Sequence, residues 1–101
     1  MSDHERALKS LVDVLAHQPS VERVILFGSR ARGEALPGSD IDVCVAAPTA
    51  GRADWLEIWT AVDEAATLHT IDLVRFEDAS PELRERILEE GRTLYERRPA
   101  A

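Results

Sequence analysis

The 101-residue chain reads as one small α/β (α+β) domain, a sheet with helices packed on it, in the order αβ(turn)βαβα. Three observations lead there. Apolar residues recur at helical spacing in two segments, and a third opens on a proline-started helix signature. Between them lie short β-branched runs, two of which carry acids among aliphatic residues. Glycine or proline punctuates most junctions. A chain of this length has room for one core and no second domain, so residues 1–101 are read as a single domain.

Ser2, with Glu5 three residues later, forms a capping box. Leu8, Leu11, Val12 and Leu15 then fall at i, i+3, i+4 and i+7, the apolar stripe of an amphipathic helix. Pro19 prevents its continuation. Val21 to Phe27 is rich in β-branched and large apolar residues and reads as a buried strand ended by Gly28. Gly28 to Ser39 is a glycine-punctuated stretch with a short helical turn over Ser29 to Arg32, closed by Gly33. Asp40 to Ala46 is the second strand, with Ile41, Val43 and Val45 on one face and Asp40, Asp42 and Cys44 on the other. Asp54 to Leu68 is a helix with Trp55, Ile58, Trp59, Val62 and Ala66 along one side, and both tryptophans are assigned to the core. A tryptophan ring left exposed there would instead be an interface anchor. Thr70 to Phe76 is the third strand, with Asp72 between Ile71 and Leu73. Ser80 and Pro81 are an N-cap and a first helical residue, opening a helix that runs to about Glu90 with Gly91 at C′. Its charges, Arg84 and Arg86 among them, read as a solvated face with weak ion pairs. Arg92 to Glu96 is either a closing strand or a frayed turn.

Composition narrows the function. With 12 basic and 19 acidic residues the formal net charge is −7, which argues against holding nucleic acid by neutralising phosphates. No apolar run approaches the roughly 20 residues of a membrane span, and the start of the chain lacks the regions of a signal peptide. A single cysteine, Cys44, fits a reducing cytoplasm. His4, His17 and His69 set no metal-ligand spacing.

The acids carry the chemistry. Asp40 and Asp42 project from one face of a strand, with Cβ atoms roughly 6.5–7 Å apart. If the third strand is a neighbour, Asp72 reaches the same spot from about 5 Å to the side. Taken alone, Asp-x-Asp is an ordinary solvated edge. Here a Gly-Ser pair ends the preceding strand ten residues earlier, where Gly28 allows close backbone approach and the Ser29 hydroxyl can hold a phosphate. Arg30 flanks that point and offers charge to a phosphate. Ser39 suits either a nucleotide contact or a turn before its strand. Three carboxylates can hold two Mg²⁺ ions for in-line phosphoryl displacement. There is no GxxxxGK[ST], so the phosphate site is not a P-loop.

The segment GSRARGEALPGSDIDV, followed later by TIDLVRF, resembles the signature of the nucleotidyltransferase superfamily that includes DNA polymerase beta. Its brevity and the GSRARG form resemble the minimal nucleotidyltransferases, including the antitoxin partners of HEPN-domain toxins. The likeness spans roughly Val21 to Tyr95. It implies a small palm-like mixed sheet, with Gly28 and Ser29 on the triphosphate and Asp40 and Asp42 on two metals. Asp72 would complete the metal site and help deprotonate the attacking hydroxyl. The implied reaction moves a nucleoside monophosphate, AMP from ATP foremost, to a hydroxyl and releases pyrophosphate. So small a palm leaves little surface to wall in an acceptor, which implies a second, helical chain. By the likeness that chain is a HEPN-type toxin, silenced by adenylylation of a tyrosine in a hetero-oligomer. Two other readings stand beside it: an antitoxin or scaffold acting by contact alone, and a transferase for a small hydroxylated acceptor.

Overall fold

The computed structural model of the chain describes residues 3–28, 40–65 and 70–97. Helix α1 (Asp3–Ala16) leads into β1 (Arg23–Phe27), and β2 (Ile41–Ala46) is followed by α2 (Arg52–Ala65). Then come β3 (Ile71–Arg75), a 3-10 turn (Phe76–Asp78), α3 (Pro81–Glu90) and β4 (Arg92–Glu96). The Ser2 cap, the Ser29–Arg32 turn and the last residues expected of α2 lie outside the described residues. Among those described, no helix is long and apolar enough to cross a membrane.

The four strands lie in the order β3-β2-β1-β4, with β1 antiparallel to β2 and to β4, and β2 parallel to β3. Alternation sorts the side chains between two faces. On one, Val24, Leu26, Ile41, Val43 and Val45 meet Leu8, Leu11 and Leu15 of α1 and Ile58 and Val62 of α2, all buried. Each such aliphatic side chain contributes about 1.5–3 kcal/mol when fully buried, so α1 is held by its stripe more than by its own helix propensity. On the other face, Ile25 and Cys44 lie under Ile87 of α3, with Phe27, Phe76 and Leu83 at the margin. Ser80 caps α3 as expected, its Oγ accepting from Leu83 N–H at 3.2 Å.

Several particulars differ from the sequence reading. Arg92–Glu96, left open between strand and turn, is β4 and covers the outer edge of β1, with an irregularity between Val24 and Ile25. Gly91 follows α3 but is not left-handed, at φ −75°. It is small because the chain passes close to β1: a Cβ there would strike the Ile87 carbonyl and come within 2.5 Å of Ile25 Cγ2. Arg84 is not part of a solvated ion-pair face. It donates from Nε to Phe76 O (3.0 Å) and from Nη2 to Glu77 O (2.6 Å), tying α3 to the 3-10 turn.

Trp59 is not core. Ile58 and Val62 are buried and Trp55 is half-buried, whereas Trp59 is 51% and Leu56 63% exposed. At 3.6 residues per turn, Trp59 points about 60° beyond Val62 and Leu56 about 60° beyond that. The buried stripe of α2 is therefore narrower than its apolar composition suggests.

Candidate active site

Asp42 on the central strand β2 and Asp72 on the edge strand β3 are brought side by side. In the parallel ladder Asp42 is in register with Asp72, one step along from Ile41↔Ile71. Just ahead of that step Ile41 N–H donates to Thr70 O at 2.9 Å. The pair lies on the sheet face that α3 covers, next to Cys44↔Val74, the register position two residues further along. Asp42 is half-buried and Asp72 exposed.

Strand β1 completes the corner from the other side. Its last residue, Phe27, opposes Asp42 in the antiparallel ladder, and Gly28 follows with φ +73°. Left-handed backbone of this kind suits glycine and strains other residues. A Cβ on Gly28 would collide with the Asp42 carboxylate, its Cγ only 3.1 Å away. Thus the glycine lets the chain turn off β1 while its backbone lies against a carboxylate. The C-terminal end of β1 and the N-terminal ends of β2 and β3 meet here.

Asp40 is exposed on the coil residue leading into β2. Among the described residues no group of three or more His, Cys, Asp or Glu side chains gathers tightly enough to hold an ion by itself. The structure therefore brings Asp42 and Asp72 together and leaves Asp40 at the mouth of the strand. Neighbouring strands lie about 5 Å apart, so like charges on the two residues repel, weakly where solvent reaches them. Ser29, Arg30 and Ser39 lie outside the described residues.

Cys44 shares the acids' face but not their chemistry. It is fully buried, and loss of hydration pushes its thiol up to about 12; the Glu77 carboxylate adds to the rise and Arg23 opposes it. A protonated, enclosed thiol is packing.

The family described as "Polymerase beta, Nucleotidyltransferase" matches residues 9–100, nearly the whole chain. The chain belongs to this nucleotidyltransferase family. No curated protein matches it in sequence. Among solved structures, this nucleotidyltransferase is similar to a chain of a toxin–antitoxin crystal structure with AMP-PNP. The TM-score is 0.72 and the identity 26%, over 89% of this chain and 73% of that one. A candidate minimal nucleotidyltransferase matches with TM-score 0.70 and 29% identity, over 87% of this chain and 89% of that one. A chain from the complex of a tri-AMPylated Shewanella oneidensis HEPN toxin with its MNT antitoxin shares the fold. There the TM-score is 0.66 and the identity 23%, over 92% and 72% of the two chains.

The donor set suits the hard divalent cations on which nucleotidyltransferases generally depend. Asp42, Asp72 and the nearby Asp40 offer carboxylate oxygens, and the one sulfur on that face is enclosed. Sequence reasoning passed over Arg75 and Glu77, at the opposite end of β3 from Asp72. In the sequence they are merely two charges two residues apart, and only the strand pairing gives them a task.

Proposed function

We propose that this nucleotidyltransferase is a cytoplasmic, Mg²⁺-dependent enzyme that moves a nucleoside monophosphate, AMP from ATP first, onto a hydroxyl of a helical partner protein. The partner is a HEPN-type toxin, the acceptor a tyrosine hydroxyl, and the outcome neutralisation of the toxin. The observation that carries the reading is the Asp42–Asp72 register pair with the Gly28 backbone lying against it. The toxin–antitoxin structures that share this fold support the choice of partner, and the AMP-PNP in one of them supports the choice of nucleotide.

In this reading Asp40, Asp42 and Asp72 hold the cations, two ions in all. Gly28 and Ser29 offer backbone and hydroxyl to the triphosphate, with Arg30 and Ser39 alongside. Bound Mg²⁺ supplies positive charge to the triphosphate and favours ionisation of the attacking hydroxyl. The acceptor oxygen forms a bond to the α-phosphorus, the bond from that phosphorus to the bridging oxygen breaks, and pyrophosphate leaves with the electron pair. Asp72, the more exposed member of the pair, takes the acceptor's proton. Such a transfer needs positioning and charge more than a protein nucleophile.

Helix α2 supplies a face for the partner. Leu56 and Trp59 stand exposed one turn apart, on a helix that carries four acids (Asp54, Glu57, Asp63 and Glu64) and Arg52 as its single cation. An exposed apolar pair on an acidic helix fits a partner helix bearing apolar residues flanked by Lys or Arg. Trp59→Ser is expected to weaken binding of the toxin encoded beside this gene by about 30-fold or more, the scale of a hot-spot aromatic, with the melting temperature unchanged. Titration calorimetry and thermal unfolding check it.

The test of the function is direct. Incubated with ATP, Mg²⁺ and that toxin, the protein should add the mass of one or more AMP units to a toxin tyrosine. Absence of transfer with all four nucleotides would reject the enzymatic reading. Toxin neutralisation surviving in Asp42→Asn would favour action by contact.

A further inference from the structure

The placement of Asp72 depends on one strand at the edge of the sheet, and the far end of that strand carries an unusual fastening. The β2–β3 ladder ends at Val45↔Arg75. Beyond it β2 runs into Ala47 while β3 tightens into the 3-10 turn, so backbone pairing stops. Two side chains continue it. Arg75 Nη2 donates to Ala47 O at 2.7 Å, and Glu77 Oε1 accepts from Ala47 N–H at 3.0 Å. Both backbone groups of one residue are thus held by side chains from the neighbouring strand end.

The fastening has further points of attachment. Arg75 Nη2 also reaches Ala50 O at 2.8 Å, and its Nε lies 3.4 Å from Glu77 Oε1. Its guanidinium sits over the Trp55 ring, 5.5 Å from the centroid. Both charged side chains are largely shielded, with 18% and 28% exposure. Hydrogen bonds from charged groups in such surroundings are stronger than those at an open surface. Guanidinium geometry suits the task, since one planar fork addresses two carbonyls and a carboxylate together.

Register is what the fastening protects. Strand β3 has five residues and β2 as its one neighbour. Slipping it by one residue would turn Asp72 onto the opposite face, and slipping it by two would carry Asp72 some 6.6 Å from Asp42. Arg75 lies three residues from Asp72, roughly 10 Å along the strand, too far to touch a nucleotide held at the acids. We infer that Arg75 and Glu77 are positioning residues for catalysis: they fix the register of β3 on β2 and thereby hold Asp72 beside Asp42. This rests on the proposed enzymatic reading for its effect on rate, and on the strand pairing alone for its effect on structure.

The experiment compares Arg75→Met, Arg75→Lys and Glu77→Ala with wild type, alongside Leu15→Ala as a core variant of lowered stability. It reads transfer kinetics per folded molecule and amide hydrogen exchange in the protein without nucleotide. For Arg75→Met, kcat is expected to fall at least tenfold with the KM for ATP within twofold. Exchange at residues 71–73 should quicken at least tenfold while Val24–Leu26 stay protected. Arg75→Lys should recover part of both, and Leu15→Ala should leave kcat per folded molecule unchanged. If wild type shows no transfer, the enzymatic reading fails, and the exchange data still decide the register role. Unchanged exchange at residues 71–73 in Arg75→Met, or a kcat loss matched by Leu15→Ala, would overturn the inference.

Discussion

Asp42→Asn is expected to lower nucleotidyl transfer by at least a hundredfold while leaving the fold intact. The substitution keeps shape and one oxygen but removes the charge. Loss of a direct cation ligand should exceed the roughly 10–100-fold cost of removing an outer-shell partner. The fold should stay intact, because the amide keeps the shape of the side chain and its capacity for hydrogen bonds, and Asp72 loses a like charge beside it. Asp72→Asn should behave the same way. Transfer rates and thermal unfolding on the same preparations check both variants. A melting temperature that dropped with activity would assign the pair to the fold instead of the reaction.

Gly28→Ala is expected to damage both activity and stability. Its backbone sits at φ +73°, where a Cβ costs about 1–2 kcal/mol, and that Cβ would drive into the Asp42 carboxylate. For a domain of this size each kcal/mol moves the melting temperature by about 4–8 °C, so a fall of roughly 4–16 °C is expected. Displacing Asp42 by even 1 Å should cost transfer about a hundredfold. Gly28→Asn separates the two causes. Asparagine enters the left-handed region more readily than alanine but still carries a Cβ. Stability should therefore recover in part while activity stays low. Recovery of activity in Gly28→Asn would place the damage in backbone strain and leave the contact with Asp42 without consequence.

The parts of this site that were legible in the sequence are those set by local rules. Alternation along Asp40 to Ala46 fixes which side chains share a face, and a glycine directly after a run of β-branched residues marks where a strand must end. Ser80 before Pro81 likewise announces a helix start from backbone chemistry alone, and the structure has it there. What the sequence concealed is set by pairing at a distance. Arg92–Glu96 has little strand character of its own and becomes β4 because β1 offers it an edge. Trp59 has the spacing of a core residue, but the width of the α2 stripe is decided by how closely α1 and the sheet approach it. Arg84 and Arg75 look like surface charges, yet each satisfies backbone carbonyls that the chain's own turns leave unpaired. The neighbour relation between Asp42 and Asp72 was conditional in the sequence, since nothing local says that β3 lies beside β2.

Crystals grown with Mn²⁺ and a non-hydrolysable ATP analogue provide the most direct test, read as anomalous scattering from the metal. The account predicts a peak about 2.1 Å from carboxylate oxygens of both Asp42 and Asp72, with the triphosphate against Gly28. A metal bound elsewhere, or a nucleotide seated while the Asp72 carboxylate faces away from Asp42, would contradict it.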